Sequence, residues 1–270
     1  MTATPSLNMQ RLGQGRPLLC LHSSSASAGQ WRGLAEQLRE QRELLIPDLP
    51  GHGRSPDWPA DAPVGLGLES DAVWAALGDF DMPLDIVGHS YGGALALQMA
   101  VERPSCVRSL TLYEPVLFGL LHRHEPWGEA WSEISQIART VSELVDAGRF
   151  EAAGQMFCNY WAAGPAWRGM NENQQQRIAR CMPSVDRHFA ALFAATWGPR
   201  ELARLRALPL RLVCGSLTRV PARRVSELLS LALEQSELRM LPGAGHLGPI
   251  SHAAAFNAMV GSLLEAVPTL

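Results

Sequence analysis

The sequence has no excess of basic charge and no long apolar run, and both absences limit what the protein binds. Its 270 residues include 23 Lys or Arg and 26 Asp or Glu, which gives a formal net charge of −3. The basic stripe that neutralises nucleic-acid phosphates is therefore missing, as is a polybasic run for anionic membranes. No window approaches the ~20 apolar residues that span a bilayer. We expect neither nucleic acid nor a membrane as a partner.

Signals for secretion, disulfides, metals and cofactors are also missing. The five cysteines, an odd number, contain no CxxC pair, so we interpret them as reduced packing residues. The first residues have no basic stretch that leads into an apolar segment and a cleavage site, and we therefore expect a cytoplasmic protein. Because no histidines share ligand spacing with acids or thiols and no glycine-rich phosphate loop follows a strand, the sequence implies no metal and no organic cofactor.

Short apolar segments alternate with helical patterns, which is typical of a parallel sheet covered by helices. The predicted strands are Pro17–Leu21, Glu43–Ile46, Leu84–Val87, Val107–Tyr113, Leu210–Cys214 and Glu237–Leu241. The predicted helices are Gln30–Arg39, Gly65–Phe80, Gly92–Glu102, Val220–Leu233 and Ala253–Val267. The strand signal disappears from Pro115 to Ala207, where helical patterns are interrupted at Pro126, Gly148, Gly164–Pro165, Pro183 and Gly198–Pro199. We predict an α/β core of residues 1–114 and 208–270 with a helical insertion of residues 115–207.

One serine has the surroundings of a catalytic nucleophile. Ser90 is the central residue of a G-x-S-x-G segment, with Gly88 and Gly92 as its glycines, between a predicted strand and a helix of small residues. A nucleophile elbow needs this context, because the serine sits on a strained strand-to-helix turn that leaves no room for a Cβ at the glycines. The alternative is a turn serine without chemistry.

With this elbow, three further segments in the same order make the chain resemble the α/β-hydrolase family. They are Leu18–Ser24 followed by Trp31, Asp48–Ser55 (DLPGHGRS) and Gly243–His246 (GAGH). The resemblance implies an α/β-hydrolase fold in which the helical insertion forms a cap over the elbow. Several cap aromatics then line an apolar pocket or pack cap helices together: Phe118, Trp127, Trp131, Phe157, Tyr160, Trp161, Phe189, Phe193 and Trp197.

The resemblance also implies roles for three more residues. His246 lies in the terminal histidine loop and is expected to be the general base. The backbone N–H groups of Ser24 and Tyr91 are expected to form the oxyanion hole. Ser23 stands where the family usually has glycine, and the alternative is that Ser23–Ser27 is only a flexible polar loop.

The acid of the triad is the point at which the sequence departs from the family pattern. After the strand Leu210–Cys214 the family usually has an aspartate, but Thr218 stands in its place, and we expect Thr218 to contribute little. Glu114 ends the strand beside the elbow strand, where certain haloalkane dehalogenases have their acid, and we predict it to hold the histidine. The alternative is that Glu114 caps or pairs in the hinge of the insertion. Asp48 is the other candidate, but its position in the DLPGHGRS turn suits a carboxylate that stabilises the turn better than the acid of the triad.

These residues predict a serine hydrolase that cleaves a carboxylic ester, thioester or lactone of a small apolar substrate through an acyl-enzyme on Ser90. One alternative is a carbon–carbon bond hydrolase of ring-cleavage products, which uses the same residue types. Another is a non-catalytic ligand receptor on the same fold. Haloalkane dehalogenases and epoxide hydrolases are disfavoured, because both need a carboxylate where Ser90 stands.

Overall fold

A twisted sheet forms the centre of the molecule in the computed structural model, which describes residues 4–78 and 82–267. Its strands are β1 (Met9–Gly13), β2 (Arg16–Leu21), β3 (Arg42–Pro47), β4 (Leu84–His89), β5 (Val107–Tyr113), β6 (Leu210–Gly215) and β7 (Glu237–Leu241). They lie in the order β1-β3-β2-β4-β5-β6-β7. All neighbouring pairs are parallel except β1 with β3. The predicted class, a mostly parallel sheet flanked by helices, is confirmed.

Helices cover both faces of the sheet. Those of the core are α1 (Arg32–Leu38), α2 (Leu66–Leu77), α3 (Tyr91–Glu102), α9 (Val220–Ala232), α10 (Gly248–Ser251) and α11 (Ala253–Ala266). Those between β5 and β6 are α4 (Gly119–His124), α5 (Glu129–Asp146), α6 (Phe150–Trp161), α7 (Glu172–Ala194) and α8 (Pro199–Ala203). The predicted helix 65–80 is α2, and its predicted positions 79 and 80 lie outside the described residues.

Strand alternation divides the core into two apolar layers. In β2, Leu18 and Cys20 join the layer of Trp31 and Phe256, under α1 and α11. Leu19 and Leu21 join the larger layer under α2, α3 and α9, which continues into the helices between β5 and β6. Successive residues of a strand point to opposite faces, so a strand that is apolar at every position must be covered on both. None of the long described helices has the apolar stretch that crossing a bilayer requires.

Two local features differ from the sequence predictions. Strand β1 was not predicted, because it is an antiparallel edge strand whose residues are half-buried or exposed, and such a strand lacks an apolar signal. Pro183 does not end a helix but lies inside α7. Its neighbours Met182 and Val185 are fully buried, and their packing compensates for the helical hydrogen bond that proline removes.

The register of β4 and β5 fixes the position of the site. His89, the last residue of β4, pairs with Tyr113, the last residue of β5. Ser90 and Glu114 follow directly, so both lie at the same carboxyl edge of adjacent strands. In open α/β sheets this edge is where ligands bind.

Candidate active site

Ser90 occupies a strained turn between β4 and α3. Its backbone has φ 55° and ψ −118°, a region that residues other than glycine rarely adopt. A Cβ at Gly92 would lie 2.3 Å from the carbonyl oxygen of Leu21, and one at Gly88 would lie 2.6 Å from that of Gly92. Only glycine fits at both positions, and the turn depends on them. Strain of this kind persists where the surrounding structure enforces it.

His246 joins Ser90 from the loop after β7. Its Nε2 lies 2.9 Å from Ser90 Oγ, and its side chain is buried. Two hydrogen bonds hold this loop: His89 Nε2 donates to the carbonyl oxygen of His246 at 2.8 Å, and the Tyr113 hydroxyl donates to that of Gly245 at 2.6 Å. Sequence reasoning assigned neither of these supporting contacts.

Glu114 lies on the other side of the imidazole. Its Oε2 is 2.6 Å from His246 Nδ1, and its side chain is fully buried. The backbone N–H of Gly215 donates to Oε1 at 2.7 Å, and the Thr218 hydroxyl donates to Oε2 at 2.7 Å. Glu114 also has a positive φ of 44°. The expectation that Thr218 contributes little does not fit this geometry, because Thr218 is one of three donors to a buried carboxylate.

Asp48 is occupied elsewhere. Its carboxylate accepts hydrogen bonds from the backbone N–H groups of Ala28 (2.8 Å) and Arg54 (3.0 Å) and from the Asn8 amide (2.8 Å). These contacts fasten the turn after β3 to the loop after β2, in keeping with the turn-stabilising role expected for Asp48.

The loop after β2 holds a backbone donor, the N–H of Ser24, that has no acceptor among the described residues. The N–H of Ser23 donates to Gln30 Oε1 at 3.1 Å, and the N–H of Ser25 donates to His52 Nε2 at 3.0 Å. Among the described residues no acceptor lies on the N–H of Ser24 or on that of Tyr91, the residue after Ser90. Ser25 has a positive φ of 61°, which residues other than glycine rarely adopt.

A buried histidine, His188 of α7, contacts both of these residues. Its Nδ1 lies 2.8 Å from Ser24 Oγ, and its ring stacks on Tyr91 with centroids 3.5 Å apart. On its other side it stacks on His52 at 5.1 Å. Burial lowers the pKa of His188 well below its usual value, so the ring is neutral near pH 7. Sequence reasoning missed this residue, since nothing local links positions 24 and 188.

Comparison with known proteins agrees with this geometry. A model of the alpha/beta hydrolase family matches residues 18–259. The chain belongs to this family. A pimeloyl-acyl-carrier-protein methyl ester esterase of Neisseria meningitidis serogroup A is 31% identical, over 92% of the chain and 76% of that protein. A 2-hydroxymuconate semialdehyde hydrolase of Pseudomonas sp. (strain CF600) is 26% identical, over 95% of the chain and 89% of that protein.

The same fold is present in solved structures. MGS-M2, an alpha/beta hydrolase enzyme from a Medee basin deep-sea metagenome library, superposes with a TM-score of 0.79 at 17% identity, over 98% of this chain and 96% of that one. Because the family model covers residues 18–259, the protein is a hydrolase.

In this hydrolase a cavity of about 670 Å³ extends from Ser90 to the surface. Phe157 and Trp161 of α6 line it, and Trp161 also stacks on His246 with ring centroids 3.9 Å apart. Phe118 and Phe189 border a small extension beside Ser90. The other aromatic residues predicted for the pocket line neither space. Trp127 is 97% exposed, and Trp131 and Phe193 pack on each other. The Tyr160 hydroxyl donates a hydrogen bond to Glu133, and Trp197 is buried outside both spaces.

Metal-binding residues are not grouped in the described parts of this hydrolase. Across residues 4–78 and 82–267, no three His, Cys, Asp or Glu side chains are arranged to hold a metal ion. All five cysteines are free.

Proposed function

We propose that the protein is a serine ester hydrolase in which Ser90 is the nucleophile, His246 the general base and Glu114 the acid. The observation that carries this proposal is the continuous chain of hydrogen bonds from Ser90 Oγ through the imidazole to the Glu114 carboxylate, at 2.9 and 2.6 Å. Nucleophile and base within bonding reach, with the base oriented by a third group, is the geometry that nucleophilic catalysis needs.

Ester cleavage would follow two half-reactions. Ser90 Oγ attacks the carbonyl carbon while its proton passes to His246 Nε2, and Glu114 stabilises the imidazolium. The tetrahedral intermediate then expels the alcohol, which takes the proton from His246 and leaves an acyl group on Ser90. Water, deprotonated by His246, attacks this acyl-enzyme and releases the acid with Ser90 restored. The same steps cleave a thioester or a lactone.

The backbone N–H groups of Ser24 and Tyr91 would hold the oxyanion. Their lack of an acceptor among the described residues supports this role, because neighbouring N–H groups of the same loop already donate to side chains. Donors fixed before the reaction stabilise the developing charge without reorganisation.

Residues 115–207 would act as a helical cap on a core formed by residues 1–114 and 208–270. The stacking of Trp161 on His246 supports this division, as does the lining of the cavity by Phe157. A small substrate with an apolar part would then lie between cap and core, which is where pockets of this size occur.

The experiment that tests the proposal is covalent labelling with a fluorophosphonate, followed by peptide mapping. Label is expected on Ser90 and absent in the Ser90→Ala variant, which should keep its fold because the side chain is small. The same substitution should lower turnover of a short p-nitrophenyl ester by roughly 10⁴-fold to 10⁶-fold. The matched control is Ser184→Ala, since the Ser184 hydroxyl donates to Asp57 and Ser184 lines neither space beside Ser90. Wild-type ester turnover by Ser90→Ala would refute the proposal.

A second candidate function is hydrolysis of a carbon–carbon bond in a ring-cleavage product. The observation that favours it is the similarity to the 2-hydroxymuconate semialdehyde hydrolase at 26% identity over 95% of the chain. Comparing kcat/KM for 2-hydroxymuconate semialdehyde with that for a short ester separates the two functions. A value for the ester that is higher by an order of magnitude or more supports the ester hydrolase.

A further inference from the structure

The charges that line the cavity are of one sign. Arg177 and Arg180, one turn apart on α7, border it, whereas no Asp or Glu is among its described lining residues. The whole chain, in contrast, has a formal net charge of −3. The cavity is therefore a locally positive site in an acidic protein, and such a site raises the local concentration of anions.

The two ends of the cavity differ in polarity. At the inner end, the buried side chains of Phe157 and Trp161 lie beside Ser90. At the outer end, the side chains of Arg177 and Arg180 are exposed. Neither guanidinium hydrogen-bonds or ion-pairs with another described residue, so all their donors remain available to a ligand. A molecule that fills the space would meet an apolar environment at its reacting end and cations at the other.

We propose that Arg177 and Arg180 select substrates whose end remote from the ester carries a carboxylate or a phosphate. The inference rests on the proposed ester hydrolysis at Ser90 and names its substrate class, an amphipathic ester with an anionic tail. The planar guanidinium donates two parallel hydrogen bonds to a carboxylate or a phosphate. An uncharged alkyl tail accepts no such hydrogen bonds. A volume of about 670 Å³ is in the range of cavities that enclose a substrate of this size.

Two esters that differ only at the remote end test the inference. One is the p-nitrophenyl monoester of suberic acid, whose acyl chain ends in a carboxylate, and the other is p-nitrophenyl octanoate. The readout is the ratio of their kcat/KM values. In the variant with both Arg177→Gln and Arg180→Gln this ratio should fall roughly tenfold, mainly through KM for the monoester, as expected for two solvent-screened charge contacts. Turnover of octanoate should stay within about twofold.

Arg149→Gln is the matched control. Arg149 lines a neighbouring groove, shared with Arg180, but not the cavity that reaches Ser90. This control removes one positive charge, against two in the double variant, from the same helical insertion of residues 115–207, and the ratio should stay unchanged. An equal fall in Arg149→Gln would show a general effect of charge and would overturn the inference, as would an unchanged ratio in the double variant. High salt should lower the wild-type ratio and leave that of the double variant unchanged.

Binding separates this inference from the proposed function. Calorimetry of monomethyl suberate binding to the Ser90→Ala protein needs no turnover. It therefore tests the arginines even if the wild type hydrolyses neither ester. A wild type without activity on either ester would refute only the proposed function. Hexanoate and hexyl phosphate as competitors distinguish the two anions. Weaker binding of either one in the double variant supports the inference and identifies the anion, and undiminished binding of both refutes it.

Discussion

Glu114, the proposed acid, directly follows β5, the strand next to the elbow strand. The loop after β6 contains no anion, yet the Thr218 hydroxyl of this loop and the N–H of Gly215, the last residue of β6, donate to Glu114. The strand that carries Glu114 lies between the elbow strand and β6. A carboxylate at its end therefore reaches the His246 imidazole, while the end of β6 and the loop after it supply two of its hydrogen-bond donors.

Replacing Glu114 with Gln should lower ester turnover by up to roughly 10⁴-fold with little change in fold. The amide keeps the shape of the side chain, but it removes the anion and offers a donor to His246 Nδ1, which favours the wrong tautomer. The measurement is kcat for a short p-nitrophenyl ester. Glu125→Gln, which breaks an ion pair with Arg224 in the same hinge region, serves as the control and should keep near wild-type kcat. Undiminished activity in Glu114→Gln would leave a Ser90–His246 dyad.

Thr218→Val should lower kcat about tenfold, because it removes one of three donors to a buried carboxylate without changing the size of the side chain. Thr218→Ser keeps the hydroxyl and should restore most of the activity. The measurement is the kcat of both variants together with their KM, which should not change. Equal losses in the Val and Ser variants would mean that the methyl group, and not the hydroxyl, matters.

At the level of elements, the sequence predicts what depends on local pattern. The strands β2 to β7 are predictable because they are short apolar runs between turns, and Ser90 and His246 because their motifs surround them. Edge strand β1 is not predictable, since its exposed residues have no apolar period. Contacts between distant segments are not predictable either. The stacking of Trp161 on His246 depends on how α6 packs on the sheet, and spacing along the chain does not encode it.

His188 links helix α7 to the proposed oxyanion loop. His188→Phe preserves stacking on Tyr91 but removes the hydrogen bond to Ser24, whereas His188→Asn offers a polar atom near the position of Nδ1. We expect kcat to fall about tenfold in the Phe variant with KM unchanged, and to recover in large part in the Asn variant.

The control for this pair is Phe193→Leu, a change on the same helix that lies away from the loop and packs on Trp131. It tests whether loosening the cap is enough to lower kcat. If KM and kcat fall together and by the same factor in His188→Phe, His188→Asn and Phe193→Leu, the role of His188 is purely structural.

Across the whole molecule, buried histidines link stability to pH. His22, His52, His89 and His188 are almost completely buried, and burial lowers the pKa of each, that of His22 to about 3. His22 and His52 must also be neutral to accept the backbone N–H groups of Leu49 and Ser25. The unfolded chain protonates the same residues below about pH 6.5, so it binds more protons than the folded chain there. Glu69 acts oppositely, because burial raises its pKa to about 8.

The free energy of unfolding should therefore fall as the pH falls from 7 to 5.5. Each buried histidine lowers this free energy as the pH falls, whereas Glu69, which is protonated in the folded state, raises it, and the four histidines outnumber the one carboxyl. Urea unfolding at a series of pH values measures it. His22→Gln should reduce the slope of this free energy near pH 5.5 by about 1.2 kcal/mol per pH unit, whereas the exposed His124→Gln should not change it. Because the slope is the readout, a destabilised His22 variant still gives a clear answer. A slope that is the same in wild type and His22→Gln would mean that His22 is not a source of the acid sensitivity.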